Sequence, residues 1–162
     1  MKPRIPSPLK AEHDELHAEL VSATKVPGEV GEAASAVATL LHPHFVKEEE
    51  YALPPLGLLS ALAAGAPVGD ARDVIAMTER LEADLPAMLA EHRGIVAALE
   101  KLVRVAETAH DHVRVHFAEK LMLHARTEEE VMYPAAILVG KWVKEHVNSA
   151  DGKPQRRKAA AA

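Results

Sequence analysis

The sequence predicts an all-α fold, an up-down-up-down four-helix bundle with short accessory helices, on three observations. The apolar residues are mostly Ala, Leu and Val, with one Trp, two Tyr and two Phe in 162 residues. That composition favours helices packed on helices over a sheet of β-branched and aromatic side chains. Apolar residues also recur at steps of three and four over long stretches, as a helix with one buried face requires. Finally, two pairs of segments repeat along the chain, which points to two helical hairpins related by a pseudo-two-fold axis.

Helix ends follow from Pro and Gly. A first helix from about Leu9 should close at Pro27-Gly28, and a second region from about Glu29 should close at Gly65 to Gly69. Pro54-Pro55 should break that second region and leave a short helix from about Leu56 to Ala63, because proline lacks a donor and clashes with the preceding turn. Pro86 should divide the next stretch of chain into an accessory helix over about 71–83 and a third main helix over about 86–107. The fourth runs from about Asp111 to Tyr133. Pro134 should interrupt it before a last amphipathic piece through Trp142 and Val147. The bundle therefore spans 9–147, and 148–162, basic and then Ala-rich, is expected to be a disordered tail.

Several functional classes are disfavoured at once. The chain has no cysteine, so neither a disulfide framework nor a thiolate metal site is available, and any transition metal must be held by imidazole and carboxylate. A net charge of -5 argues against general nucleic-acid binding. No apolar run reaches the length of a spanning helix or follows a signal-peptide pattern, so a cytoplasmic protein without membrane contact is expected.

The repeat carries the chemistry. Ala11-Glu12-His13 recurs as Ala90-Glu91-His92, and His44 through Glu48-Glu49-Glu50 to Pro54 recurs as His124 through Glu128-Glu129-Glu130 to Pro134. Four apolar stripes result: Leu9, His13, Leu16, Leu20; Val37, Leu41, His44, Glu48, Tyr51; Leu85, Leu89, His92, Val96, Leu99; and Phe117, Leu121, His124, Glu128, Val131. Each stripe contains a histidine, and the second and fourth add a glutamate one turn later. A core-facing carboxylate is costly without a compensating positive charge, and no Lys or Arg occupies any stripe. His44 with Glu48, and His124 with Glu128, stand at i,i+4, where two side chains can close on one ion. One histidine on an apolar stripe is ordinarily a core residue; six polar residues in register imply a metal site. Imidazole and carboxylate together suit iron, and two ligand sets imply two ions.

The other polar residues are expected to be bystanders. Glu49, Glu50, Glu129 and Glu130 point about 100° and 200° away from the ligand positions. His17, one turn past His13, is read as a helix-flank residue, with a supporting role as the alternative. His42, His110, His112, His116 and His146 are read as solvated, and Met88, Met122 and Met132 as gap fillers. Tyr51 either packs in the core or turns its phenol to the metal pocket.

The order His, His-x-x-x-Glu, His, His-x-x-x-Glu, with Glu-Glu and a downstream Pro after each pair, resembles the hemerythrin and HHE cation-binding family over about Leu9 to Pro134. The resemblance implies a non-haem, oxo- and carboxylate-bridged di-iron centre, with His13, His44, His92 and His124 as terminal ligands and Glu48 and Glu128 as bridges. It also implies a small-molecule partner: dioxygen, peroxide or nitric oxide, bound, sensed or broken down. The sequence departs from the oxygen carriers of that family, which place a second histidine one turn away on the third helix and end the set with aspartate; here the neighbours of His92 are Met88 and Val96. That departure leaves one iron with fewer protein ligands. Iron storage or sensing, and a metal-stapled structural bundle, are the alternatives.

Overall fold

A computed structural model describes residues 3–150 apart from Val68 and Asp70, with side chains described to residue 147. The described regular structure is helical, without strands. It comprises α1 (Ser7–Thr24), α2 (Glu29–Lys47), α3 (Leu59–Ala63), α4 (Ala71–Thr108), α5 (His112–Thr127) and α6 (Tyr133–Ala150). No described helix is long and apolar enough to cross a membrane. Helix α6 extends into the segment expected to be tail, and 151–162 lie outside the described residues.

Local chemistry sets the ends. Pro6 and Pro8 start α1, where a missing donor costs nothing. Gly28 turns the chain into α2 with φ 77°, a left-handed conformation that glycine adopts without a Cβ penalty. The carboxylate of Asp111 caps α5 by accepting from the Arg114 backbone N–H at 3.2 Å.

The prolines behave differently from expectation. Pro86 does not divide the chain: α4 is one helix of 38 residues, with Pro86 exposed on its outer face. A proline inside a helix costs about 3 kcal/mol. Here Leu81 and Met88, fully buried on either side of it, anchor the helix to the core. Pro43 is likewise carried inside α2. Pro134 does not interrupt the fourth helix either. The chain instead widens into a π-turn over Glu128–Met132 and continues as α6. A matching π-turn over Glu48–Ala52 follows α2, and a 3₁₀ turn over Pro54–Leu58 then leads to α3, so the break at Pro54-Pro55 occurs as expected.

Two of the predicted stripes are corrected, the fourth by its π-turn and the third by the face that α4 buries. A π-turn holds one residue more than an α-turn, so the next buried residue after Glu128 is Tyr133, and Val131 is exposed. On α4 the buried side runs Met88, His92, Ile95, Leu99, whereas Leu85, Leu89 and Val96 are only half-buried. Both sides of that helix are apolar, and contact of Met88 with the Tyr51 hydroxyl at 3.7 Å belongs to the side that packs.

Helices α1, α2, α4 and α5 pack in a ring, α1 on α2, α2 on α4, α4 on α5 and α5 on α1, while α6 lies along α4. One apolar cluster contains Leu16, Leu20, Val37, Leu41, Ile95, Leu99, Phe117 and Leu121. A second contains Tyr51, Leu53, Leu56, Leu81, Met88 and Tyr133. On α2, α4 and α5 the histidines fall in sequence between members of the two clusters, so a polar layer crosses the middle of the core.

Helix α6 sits against α4 through Gly140, where an added Cβ would lie 1.9 Å from Thr78 Oγ1. Gly140→Ala is therefore expected to lower stability by about 1–3 kcal/mol in denaturant unfolding, although alanine is the better helix former. An unchanged midpoint would contradict this packing.

Candidate metal centre

All six sequence-predicted residues are brought together and buried. His13 lies midway along α1 and His92 along α4; His44 and His124 occupy the last turns of α2 and α5, and Glu48 and Glu128 begin the two π-turns. Glu48 is 0% exposed and Glu128 1% exposed. They form two groups whose facing atoms lie within 4.8 Å of one another: His44, Glu48, His92 and Glu128, and His13, His124 and Glu128.

The carboxylates span the two pairs of imidazoles. Glu128 Oε1 faces His124 Nε2 at 2.9 Å and His13 Nε2 at 3.4 Å, while its Oε2 faces His92 Nε2 at 3.4 Å. Glu48 Oε1 lies 3.0 Å from His44 Nε2, and its Oε2 is turned toward His13 Nε2 at 4.0 Å. Within each pair the imidazoles meet edge to edge, His44 Nε2 to His92 Nε2 at 2.7 Å and His124 Nε2 to His13 Nε2 at 3.1 Å.

The outer nitrogen of every histidine faces a further glutamate. His44 Nδ1 donates to Glu91 at 2.7 Å and His92 Nδ1 to Glu129 at 2.9 Å. His124 Nδ1 lies 3.3 Å from Glu12, and His13 Nδ1 3.6 Å from Glu49, without hydrogen-bond alignment. A carboxylate only accepts, so Glu91 and Glu129 keep a proton on Nδ1 of His44 and His92 and turn Nε2 inward, the arrangement a metal ligand needs. Glu49 and Glu129, expected on the polar face, are half-buried beside histidines, and Glu129 hydrogen-bonds His92.

Tyr133 is a polar group that helical spacing does not reveal. Its hydroxyl donates to Glu48 Oε1 and lies 3.3 Å from both His44 Nε2 and His92 Nε2. It stands five residues past Glu128, a spacing that reaches the same face only through the π-turn. Tyr51 turns away, donating to Asp84 at 2.9 Å. His17, His42, His110, His112, His116 and His146 lie outside the buried cluster, as expected.

The donor set fits a cation. Two buried carboxylates meet four imidazoles with no Lys or Arg among them, Glu48 Oε2 has no hydrogen-bond partner among the described residues, and the nitrogens within each pair stand closer than two lone pairs tolerate. Without a cation, protons on His44, His92 and His124 would balance the carboxylates. Burial works against charging His44, His92 and His124, yet the carboxylates override it: Glu128 and Glu48 push His92 up to about 10, Glu48 and Glu91 raise His44, and Glu128 raises His124. Burial likewise works against ionising Glu128, but His124, His13 and His92 hold it well below the usual carboxylate range. Burial, with Glu48 and Glu128 nearby, keeps the Tyr133 hydroxyl protonated.

No protein-family model, curated protein or solved structure matches the chain. What the site does is read from its geometry.

The raised histidines give the metal-free protein a defined pH dependence. Stability from His92 is fully present below about 6.5 and is lost as pH climbs through about 10. Stability from Glu128 is present above about 4.5 and is lost only in stronger acid. Thermal melts of chelated protein should therefore show Tm falling from pH 6 toward pH 10, while the gain in Tm on adding metal grows, because metal needs deprotonated ligands. A chelated protein whose Tm rises across that range would contradict the protonated cluster.

Proposed function

We propose that the chain is a hemerythrin-like di-iron protein, an up-down-up-down bundle of two pseudo-two-fold-related hairpins that binds or reacts with dioxygen, peroxide or nitric oxide. The observation that carries this reading is the pair of buried carboxylates, each spanning two sets of imidazoles with no Lys or Arg beside them. Two sets of nitrogens joined by shared carboxylates suit two ions, and a mixed imidazole and carboxylate set without thiolate suits iron. His44 and His92 would hold one ion, His13 and His124 the other, with Glu48 and Glu128 between them. Iron bound by these residues would supply redox chemistry toward small oxygen- and nitrogen-containing molecules.

The chain's own residues then act in three ways. The outer glutamates orient the imidazoles. The apolar clusters above and below the polar layer exclude bulk water and strengthen electrostatic interactions inside. Tyr133 keeps its proton at the hydroxyl beside His44 and His92 and donates it to Glu48, which holds that carboxylate in place. A metal-stapled bundle without turnover is the second reading, favoured by the position of the centre where all four ring helices meet.

Metal analysis of variants tests the reading. Glu48→Ala and Glu128→Ala should each bind fewer than two equivalents of iron, since each removes negative charge between two cations. His44→Ala and His124→Ala should resemble them. His112→Ala and Glu130→Ala, both exposed, should keep the full complement. The aerobic protein should show ferric absorption bands that vanish with dithionite and return in air; redox-silent metal would instead favour the staple.

A further inference from the structure

The repeat pairs His44-Phe45 with His124-Ala125, and this one difference reshapes the surface over the centre. On the α1–α2 side, Phe45 is buried and stacks on the His13 ring, with centroids 4.5 Å apart and planes at 19°. Its ring lines two separate hollows of about 220 Å³ and 210 Å³, only the first of which touches His13. On the α4–α5 side the corresponding positions bound one continuous cavity of about 500 Å³ that reaches His92. Ala125 forms part of its wall, and Val96 and Met122 stand where the first hairpin has His17 and His42. The ring stacked on His92 is that of Tyr133, at 5.7 Å and 20°. Arg93 and Arg126 lie at the rim, Arg126 paired with Glu130 at 2.7 Å.

We propose that the α4–α5 groove is the port by which small molecules reach the centre, held open by Ala125, while Phe45 narrows the equivalent route beside His13 to the smaller hollow. The side of the centre at His92 is then the reactive one. Tyr133 places its hydroxyl 3.3 Å from the inner nitrogen of that histidine while donating to Glu48, so the groove leads to the polar layer itself. Molecules of a few heavy atoms fit an opening lined by Arg93 and Arg126 together with Glu100, Glu129 and Glu130; bulky substrates do not reach past a buried imidazole. This assignment rests on the metal-centre reading for its function but on the chain alone for its geometry.

Two readouts separate the two claims. In metal-free protein, hydroxyl-radical modification mapped by mass spectrometry should fall severalfold at His92 in Ala125→Phe, with His13 unchanged, and should rise at His13 in Phe45→Ala, with His92 unchanged. In ferric protein, stopped-flow binding of azide should slow by about tenfold or more in Ala125→Phe at unchanged iron content, a barrier increase of about 1.4 kcal/mol. Val96→Phe, which narrows the groove from the half-buried α4 wall, replaces Ala125→Phe if that variant does not fold. If His92 modification and azide binding both keep their wild-type rates in a folded variant, the port is overturned. If wild-type protein binds no iron but His92 modification still depends on Ala125, the groove stands and the di-iron reading falls.

Discussion

Everything in this fold is arranged around two carboxylates, Glu48 and Glu128, buried at the middle of a helical bundle without a Lys or Arg to neutralise them. Removing a carboxylate from water costs several kcal/mol unless charge and hydrogen bonds return what hydration supplied. Four imidazoles meet that requirement only partly: uncharged, they leave two anions uncompensated, and charged, they crowd positive rings at 2.7 Å and 3.1 Å. A cation between the nitrogens resolves both problems. The polar layer consequently couples the packing of four helices to the charge of one cluster that could hold a metal ion.

The outer glutamates extend the same logic to the surface. Glu12 and Glu91 directly precede His13 and His92 in sequence, yet each faces the outer nitrogen of a histidine on another helix, His124 and His44. Glu49 and Glu129 do the same for His13 and His92. For His44 and His92 the hydrogen bond that orients the imidazole therefore comes from a neighbouring helix. Lys47, paired with Glu91, ties one of these supports to the solvent side.

Much of this was legible in the sequence because core stripes interrupted by six polar residues violate the rule that buried helix faces are apolar. The all-helical bundle, the burial of all six residues and their convergence followed from helical spacing. What was not legible depended on departures from that spacing. Tyr133 is invisible to a three-four periodicity because the π-turn adds a residue, and Val131 takes its place in the predicted stripe for the same reason. Pro86 signals a break locally, but the burial of Leu81 and Met88 on both sides outweighs its cost. Leu89 and Val96 were indistinguishable from Met88 and Ile95 because that helix is apolar on adjacent faces. The outer glutamates carry a signal of their own in the sequence: Glu12 and Glu91 recur with their histidines in the internal repeat.

The central claim is that cations sit between these side chains, and anomalous X-ray diffraction at the iron edge tests it most directly. Crystals of protein produced with iron should show two peaks inside the bundle, one beside His44 and His92 and one beside His13 and His124, each roughly 2 Å from its nitrogens. A structure with an empty, protonated cluster, or with iron bound only at surface glutamates, would contradict the account.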